Sequence, residues 1–154
     1  MKLEILAVDR LRVEWARAAV AEYLARVARY ASAERRDVKP ARGEGPGAAE
    51  EEGERILRDA RLGPRDRLVA LTPDGEARDS AAWARMLEGW AAEGVGRVVF
   101  AVGGASGLAP AVLEAAAARV SLGPQTLSHE LAQVVLCEQI YRAWTILRGE
   151  PYHK

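Results

Sequence analysis

Short apolar runs and amphipathic stripes alternate along the whole chain. The runs at residues 3–8, 67–71, 97–102 and 119–122 have the length and composition of strands, and 33–38 is a weaker candidate of the right length. Between them, apolar stripes predict helices over 13–30, 49–61, 80–93, from Pro110 onward, and over 129–147. Strands that alternate with helices build parallel sheets, so the pattern predicts an α/β fold with a mainly parallel sheet flanked by helices.

Caps, breakers and helical faces refine these boundaries. Residues 39–48 are rich in proline and glycine and predict a surface loop, and residues 72–75 predict a turn after the third strand. Ser80 is expected to cap the helix that follows it. In the helix over 49–61 the acids are expected to occupy the first turns, where the helix dipole favours them. In the first helix one stripe is expected to face the core: Trp15, Ala19, Tyr23, Val27 and Tyr30.

Composition narrows the class of protein. The chain has 154 residues, an apolar fraction of 49% and 22 basic against 22 acidic residues, so one domain over 1–154 with a real core is expected. A net charge of zero gives no global field for nucleic acid, and any RNA affinity must come from a local patch, a second subunit or a preassembled target. With no secretory pattern and no apolar run of transmembrane length, we expect a soluble cytoplasmic protein.

Three glycine-containing or turn-forming loops each follow a predicted strand. They begin at Leu71, at Gly103 and Gly104, and at Leu122. In open α/β sheets ligands bind beyond the carboxyl ends of the strands, and glycine lets the backbone approach a ligand closely. The three loops could therefore line one small-molecule pocket, although 103–107 alone is about as well explained by a tight turn.

Other familiar site chemistries fit poorly. The glycines at 103–107 have neither the spacing of the dinucleotide fingerprint nor the lysine of a phosphate loop. Two histidines and the single Cys137, far apart in sequence, make no standard zinc constellation, and no metal is expected. Ser106 has no evident base partner, so a hydrolase triad is not supported.

The carboxyl-terminal end combines an apolar helix with an unusual tail. The helix is apolar on nearly every side, which indicates burial in a core or against another subunit. Glu138 and Arg142 stand four residues apart and can form an ion pair along the helix. A structural role is the favoured prediction for Glu138, whereas a functional role is favoured for Arg142, because a guanidinium suits phosphates and base edges. The tail ends with Tyr152, which offers a stacking face, and His153, whereas His129 at the helix start is more simply a loop or capping histidine.

Several strings along the chain resemble the RlmH family of SPOUT-class methyltransferases over its full length. They are the amino-terminal Met1-Lys2-Leu3, the pair Glu22-Tyr23, the segment from Gly103 to Leu108, the pattern Leu122-x-x-x-Thr126-Leu127-x-His129, the helix string Glu138-Gln139-x-Tyr141-Arg142-Ala143-x-x-Ile146, and the tail Gly149-x-Pro151-Tyr152-His153-Lys154. The carboxyl-terminal strings are far more specific than any glycine loop.

This resemblance implies properties that composition does not show. The family folds with a carboxyl-terminal trefoil knot, forms homodimers and uses S-adenosyl-L-methionine to methylate N3 of a pseudouridine in helix 69 of 23S rRNA, conventionally position 1915, on the assembled ribosome. The catalytic residues would be Arg142, Tyr152 and His153, facing the RNA, with the tail of one subunit completing the site of the other. The cofactor would contact Leu71, Gly103, Gly104, Leu122, Gly123, Pro124, Gln125, Thr126 and Leu127.

The chain also departs from the family pattern. Asp9 stands where glycine is usual, and Gln133 stands where arginine is usual. The lost cation could weaken RNA binding or be replaced by Arg10, Arg12 or Arg148. A catalytically inactive ribosome-binding knot protein is therefore the alternative to the enzyme.

Overall fold

The computed structural model describes all residues, 1–154, as five strands and five helices. The strands are β1 (Lys2–Val8), β2 (Ser32–Val38), β3 (Asp66–Ala77), β4 (Arg97–Val102) and β5 (Ala118–Ser121). The helices are α1 (Glu14–Val27), α2 (Pro46–Ala60), α3 (Ser80–Ala92), α4 (Pro110–Ala115) and α5 (His129–Leu147).

All strands run parallel in one sheet, in the order β2-β1-β4-β3-β5. Helices α1, α3 and α5 cover one face, and α2 and α4 cover the other. The central strand β4 explains the arrangement, because Val98 and Phe100 enter the larger core while Val99 and Ala101 enter the smaller one. Such strands are apolar at every position because both faces are covered. The predicted α/β fold with a parallel sheet is confirmed.

The predicted turn at residues 72–75 is wrong, because β3 continues to Ala77. Its pairing with β5 shifts register between Leu71 and Glu76, both of which lie opposite Val120. The residues between them form an irregularity in the strand. Gly75 allows this course, since a Cβ there would lie 2.5 Å from the carbonyl carbon of Val120.

Three further predictions of local structure need correction. Asp79, not Ser80, caps α3 by accepting a 2.6 Å hydrogen bond from the Ala82 amide. The stripe predicted on α1 is correct in its second half, where Val27 is buried and Tyr23 and Tyr30 pack against the core, and wrong in its first half, where Ala16 and Val20 are buried and Trp15 is 54% exposed. Helix α2 begins at Pro46, which suits a first-turn position, so its first turn holds no acid.

Candidate active site

Of the three predicted ligand loops, those after β4 and β5 are loops, whereas residues 72–75, which follow Leu71, continue as part of β3. Leu71 of β3 pairs with Val102 of β4 on one side and with Val120 of β5 on the other. The segments that follow β4 and β5 therefore begin beside Leu71, as expected for carboxyl ends of neighbouring parallel strands. The structure brings Leu71, Gly103 and Leu122 together at this edge.

The glycines after β4 are required by close packing of the backbone. A Cβ on Gly103 would lie 2.7 Å from the carbonyl of Gly107, and a Cβ on Gly104 would lie 3.0 Å from both Glu52 Oε2 and Val8 Cγ1. Gly104 and Gly107 also form an isolated bridge, and the Gly107 amide donates to the Gly104 carbonyl at 3.1 Å. The loop is thus a tight backbone cradle with no side chain on its first two residues.

The segment after β5 is open and shaped by one turn. Gly123 adopts φ +120°, a conformation that side chains avoid, and its amide and carbonyl both bond the Ser121 hydroxyl, at 3.1 and 3.0 Å. Pro124, Gln125 and Thr126 are exposed, while Leu122, Gly123 and Leu127 are half-buried. The exposed part of this segment can contact a ligand without any change in the core.

The predicted RNA-facing residues form a second cluster, on α5 and the tail. Glu138 Oε1 accepts hydrogen bonds from Arg142 Nη2 at 2.7 Å, from Arg142 Nε at 3.1 Å and from the Tyr152 hydroxyl at 3.0 Å. The Arg142 guanidinium lies 4.6 Å from the centre of the Tyr152 ring, and its Nη1 lies 3.5 Å from His153 Nδ1. A single carboxylate therefore holds Arg142 and Tyr152, and His153 joins this cluster through its contact with Arg142.

The ionisation states of this cluster follow from these contacts. The hydrogen bond to Glu138 raises the pKa of Arg142, and burial together with hydrogen bonds to Tyr23 and Glu138 raises the pKa of Tyr152. Tyr152 is therefore a neutral donor at physiological pH. A guanidinium N–H can only donate, so the accepting atom in a hydrogen bond between Arg142 Nη1 and His153 Nδ1 is Nδ1.

The sequence predicts a structural pair of Glu138 with Arg142, and the structure gives Glu138 further contacts besides this pair. Its Oε2 accepts from Gln139 Nε2 at 2.7 Å, and Gln139 Oε1 in turn accepts from the Ser80 hydroxyl at 2.7 Å. This series of hydrogen bonds connects the cluster to the start of α3. The spacing of Glu138 and Arg142 predicted the ion pair, but no pattern in the sequence indicated the contacts with Tyr152 and Ser80.

Within one chain the two clusters are far apart. Arg142 lies 13 residues beyond His129, where α5 begins, so a rise of 1.5 Å per residue separates them by about 20 Å along the helix. The loops at the carboxyl edge lie beside the start of α5. The Tyr152 ring of the tail cluster instead packs on Tyr141, which also contacts Tyr23 of α1 and Tyr30 just after that helix. The structure does not bring the two sets of predicted site residues together in a single protomer.

Gln133 does not face solvent. Its side chain is fully buried and accepts a 2.7 Å hydrogen bond from Nε of Arg35, which comes from β2. The cation that contacts Gln133 is Arg35. That Arg10, Arg12 or Arg148 replaces the lost cation toward RNA stays a prediction. Arg35 was missed because it lies in a charged stretch that resembled a poor strand.

Two negative observations complete the description of the molecule. No cluster of three or more histidine, cysteine, aspartate or glutamate side chains is placed to hold a metal ion, and no helix is both long and apolar enough to cross a bilayer. Cys137 is fully buried, and desolvation raises the pKa of its thiol to about 12.

Comparison with known proteins agrees with the resemblance of these residues to a family. The family model described as "Predicted SPOUT methyltransferase" matches residues 1–153. Proteins named ribosomal RNA large subunit methyltransferase H are similar over the full length of both chains: 46% identical in Anaeromyxobacter dehalogenans (strain 2CP-C), 43% in Gemmatimonas aurantiaca and 36% in Exiguobacterium sibiricum. A family match over nearly the whole chain, with relatives at these identities, establishes that this protein belongs to the SPOUT methyltransferase family.

Proposed function

We propose that this methyltransferase uses S-adenosyl-L-methionine to methylate N3 of a pseudouridine in helix 69 of 23S rRNA, on the assembled ribosome in the cytoplasm. The proposal rests on the full-length similarity to proteins named as large-subunit rRNA methyltransferases. The observation that carries it is that Leu71 of β3 and the two loops after β4 and β5 meet at the carboxyl edge of the sheet, together with a separate cluster of Arg142, Tyr152 and His153. A neutral chain suits a preassembled target better than free RNA.

The residues at the carboxyl edge fit the proposed cofactor. The tight backbone at Gly103 and Gly104 leaves amides and carbonyls as the groups available to a ligand there. The segment from Leu122 through Gly123, Pro124, Gln125 and Thr126 to Leu127 is exposed at its three middle residues and follows β5, which pairs with Leu71. These groups would hold the cofactor. When bound, S-adenosyl-L-methionine supplies an electrophilic methyl group.

A homodimer would unite the two separated clusters. Because Arg142 lies about 20 Å along α5 from the loops of its own chain, a second copy is the simplest source of an RNA-facing cluster at each cofactor site. The exposed indole of Trp15 on α1 and the half-buried apolar residues of α5, among them Val134 and Ile146, give the protomer surface that a partner could cover. We therefore propose that the tail of each subunit completes the site of the other.

The course of α5 is consistent with a trefoil knot. The helix follows β5 at the edge of the sheet, yet it packs between α1 and α3 over the middle of one face. The short segment 122–127 must therefore carry the chain from the edge strand β5 back to the middle of that face. We propose that this return forms the knot of the family.

The chain's own residues would orient the RNA and remove one proton. Arg142, fixed by Glu138, would bind phosphate or the charge that develops on the base, and the Tyr152 ring beside it offers a stacking face. Methylation at N3 requires loss of the N3 proton. Neutral His153 is the candidate acceptor, provided that it comes within hydrogen-bond reach of N3. Correct alignment of the reactants alone is worth several kcal/mol, on the order of 7–11 in favourable cases.

The inactive alternative depended on Gln133 as a lost RNA contact. Because Gln133 is fully buried and hydrogen-bonded to Arg35, its side chain forms no part of a surface that RNA could contact directly. The structure therefore offers no observation in favour of that alternative.

Methyl transfer from labelled S-adenosyl-L-methionine to ribosomes lacking the modification, with free large subunits in parallel, tests the proposal. Label mapped to the helix 69 pseudouridine on whole ribosomes supports it, and loss of transfer in Arg142→Ala and His153→Ala with cofactor binding retained supports the assigned roles. If wild-type protein binds the cofactor but transfers no methyl to ribosomes, the proposed substrate is wrong. If it binds no cofactor, the assignment of the three loops is wrong.

A further inference from the structure

The first turn of α5 is fastened to the end of β1 by polar contacts. His129 Nε2 lies 2.8 Å from the Val8 carbonyl, and Glu130 Oε1 accepts hydrogen bonds from the amides of Arg12 and Val13. Val13 is the N-cap of α1 and has no capping side chain of its own. Glu130 therefore bonds the backbone just before the first turn of α1, and the start of α5 cannot shift without disturbing the start of α1.

The hydrogen on the His129 ring can be assigned from its neighbours. Arg35 Nε, a donor only, lies 2.7 Å from Gln133 Oε1, so the amide oxygen of Gln133 faces Arg35 and its nitrogen faces His129, 3.1 Å from Nε2. The Val8 carbonyl only accepts, so Nε2 carries the hydrogen and donates to Val8. The Gln133 amide nitrogen then has the His129 carbonyl, at 3.4 Å, as its acceptor.

Arg35 determines which way the Gln133 amide points. Its side chain is 10% exposed, and besides Gln133 it donates from Nη2 to the Asp9 carbonyl at 2.9 Å and pairs with Asp37. Asp9 has φ +68°, a conformation that residues other than glycine rarely adopt, and the Arg35 contact helps to hold it. Without Arg35, the Gln133 amide could rotate and offer its oxygen to the His129 N–H in competition with Val8.

These contacts lie between two parts of the proposed cofactor site. His129 follows Leu127 by two residues, and Val8 is the residue whose Cγ1 would touch a Cβ on Gly104. A buried guanidinium and a buried amide are poor choices for stability alone, because apolar side chains of similar size often stabilise a core equally well or better. A fully satisfied polar network instead fixes one geometry.

We propose that Arg35, Gln133 and His129 form a positioning latch, which holds the end of the 122–127 segment against β1 and so sets the shape of the cofactor site. The inference rests on the proposed function of that segment. The latch residues need not touch the cofactor, because they act through Val8 on one side and Leu127 on the other.

Calorimetric titration with S-adenosyl-L-methionine tests the latch in three variants. Arg35→Met should raise the Kd about tenfold, equivalent to about 1.4 kcal/mol. The double variant Arg35→Gln with Gln133→Arg reverses donor and acceptor and should return the Kd to within about threefold of wild type, which recovers about half of that free energy. Arg36→Met is the matched control: it removes an arginine of β2, the strand that carries Arg35, whose partner is Glu4 of β1, so it should lower the melting temperature and leave the Kd unchanged.

Nuclear magnetic resonance of the wild-type protein gives a readout that does not depend on any variant folding. The His129 ring should be in the Nε2–H form, and added S-adenosyl-L-methionine should shift its resonances and those of the Gln133 amide. An Nδ1–H ring, or no shift on cofactor binding, overturns the latch. So does a folded Arg35→Met protein with an unchanged Kd. Failure of the wild-type protein to bind S-adenosyl-L-methionine overturns the proposed cofactor site as well, which distinguishes the two failures.

Discussion

Replacing Glu138 by glutamine removes the charge on which the RNA-facing cluster depends. One oxygen of Glu138 accepts two hydrogen bonds from Arg142 and one from Tyr152. Hydrogen bonds to a charged group contribute roughly 1.5–3 kcal/mol, against about 1 for neutral ones. The side chains of Arg142 and Glu138 are 25% and 17% exposed, so solvent screening reduces the difference only in part. We expect Glu138→Gln to lower the free energy of unfolding by about 1 kcal/mol.

The effect on turnover should be larger than a change in fold stability alone would cause. If Arg142 must be held in one orientation to act on RNA, a loss of about 1.4 kcal/mol in the transition state reduces kcat about tenfold. Cofactor affinity should remain at the wild-type value, because the cluster lies about 20 Å along α5 from the loops of its own chain. Urea unfolding, calorimetric titration and single-turnover methyl transfer measure the three quantities separately.

A second pair with the same helical spacing supplies the control. Glu51 and Arg55 stand four residues apart on α2, where the Glu51 side chain is 49% exposed. Glu51→Gln should change the free energy of unfolding by no more than about 0.5 kcal/mol and leave turnover unchanged. The reasoning is refuted if Glu138→Gln retains the wild-type kcat while Arg142→Ala abolishes it, since Arg142 would then act without its carboxylate partner.

Three more predictions concern the cofactor loop, the core thiol and acid stability. Gly103→Ala places a Cβ 2.7 Å from the Gly107 backbone and should weaken S-adenosyl-L-methionine binding at least tenfold by calorimetry, whereas Gly107 has free space and its replacement by asparagine, which tolerates positive φ, should be milder. Cys137, with a pKa raised by burial to about 12, should resist iodoacetamide at pH 8 in the folded protein and react once the chain is unfolded in guanidinium chloride. Burial opposes ionisation of Asp66, but hydrogen bonds from Arg97 and the Gly63 amide prevail and lower its pKa below 3.8. Its contribution to stability is therefore present above that pH and lost as pH falls through the folded-state pKa, so Asp66→Asn should flatten the acid side of a stability profile measured by urea unfolding.

The parallel sheet was predictable because its strands carry a strong signal. Strand β4 is apolar at five successive positions after Arg97, and only a strand covered on both faces tolerates that composition. The boundaries of α5 were also predicted correctly, since Ser128 precedes it as a capping residue and Gly149 follows it. Local chemistry of this kind is encoded within a few residues of the chain.

The features that were missed depend on partners distant in sequence. Strand β3 passes through a proline and a glycine because Gly75 fits against Val120, a contact that no local pattern reveals. The buried state of Gln133 likewise depends on Arg35, which is 98 residues away. The individual site residues could be selected from the sequence through their resemblance to a family. Their division into two separated groups required coordinates, because it follows from the length and direction of α5.

That division has a genetic consequence. If each site takes its cofactor loops from one subunit and its tail cluster from the other, a loop variant such as Gly103→Ala and a tail variant such as Arg142→Ala would complement one another. A mixed dimer of these two chains keeps one intact site. That site combines the unaltered loops of the Arg142→Ala chain with the unaltered tail of the Gly103→Ala chain. Two defective alleles expressed in one cell would then restore part of the modification that neither restores alone, and selection on the gene would act on pairs of chains.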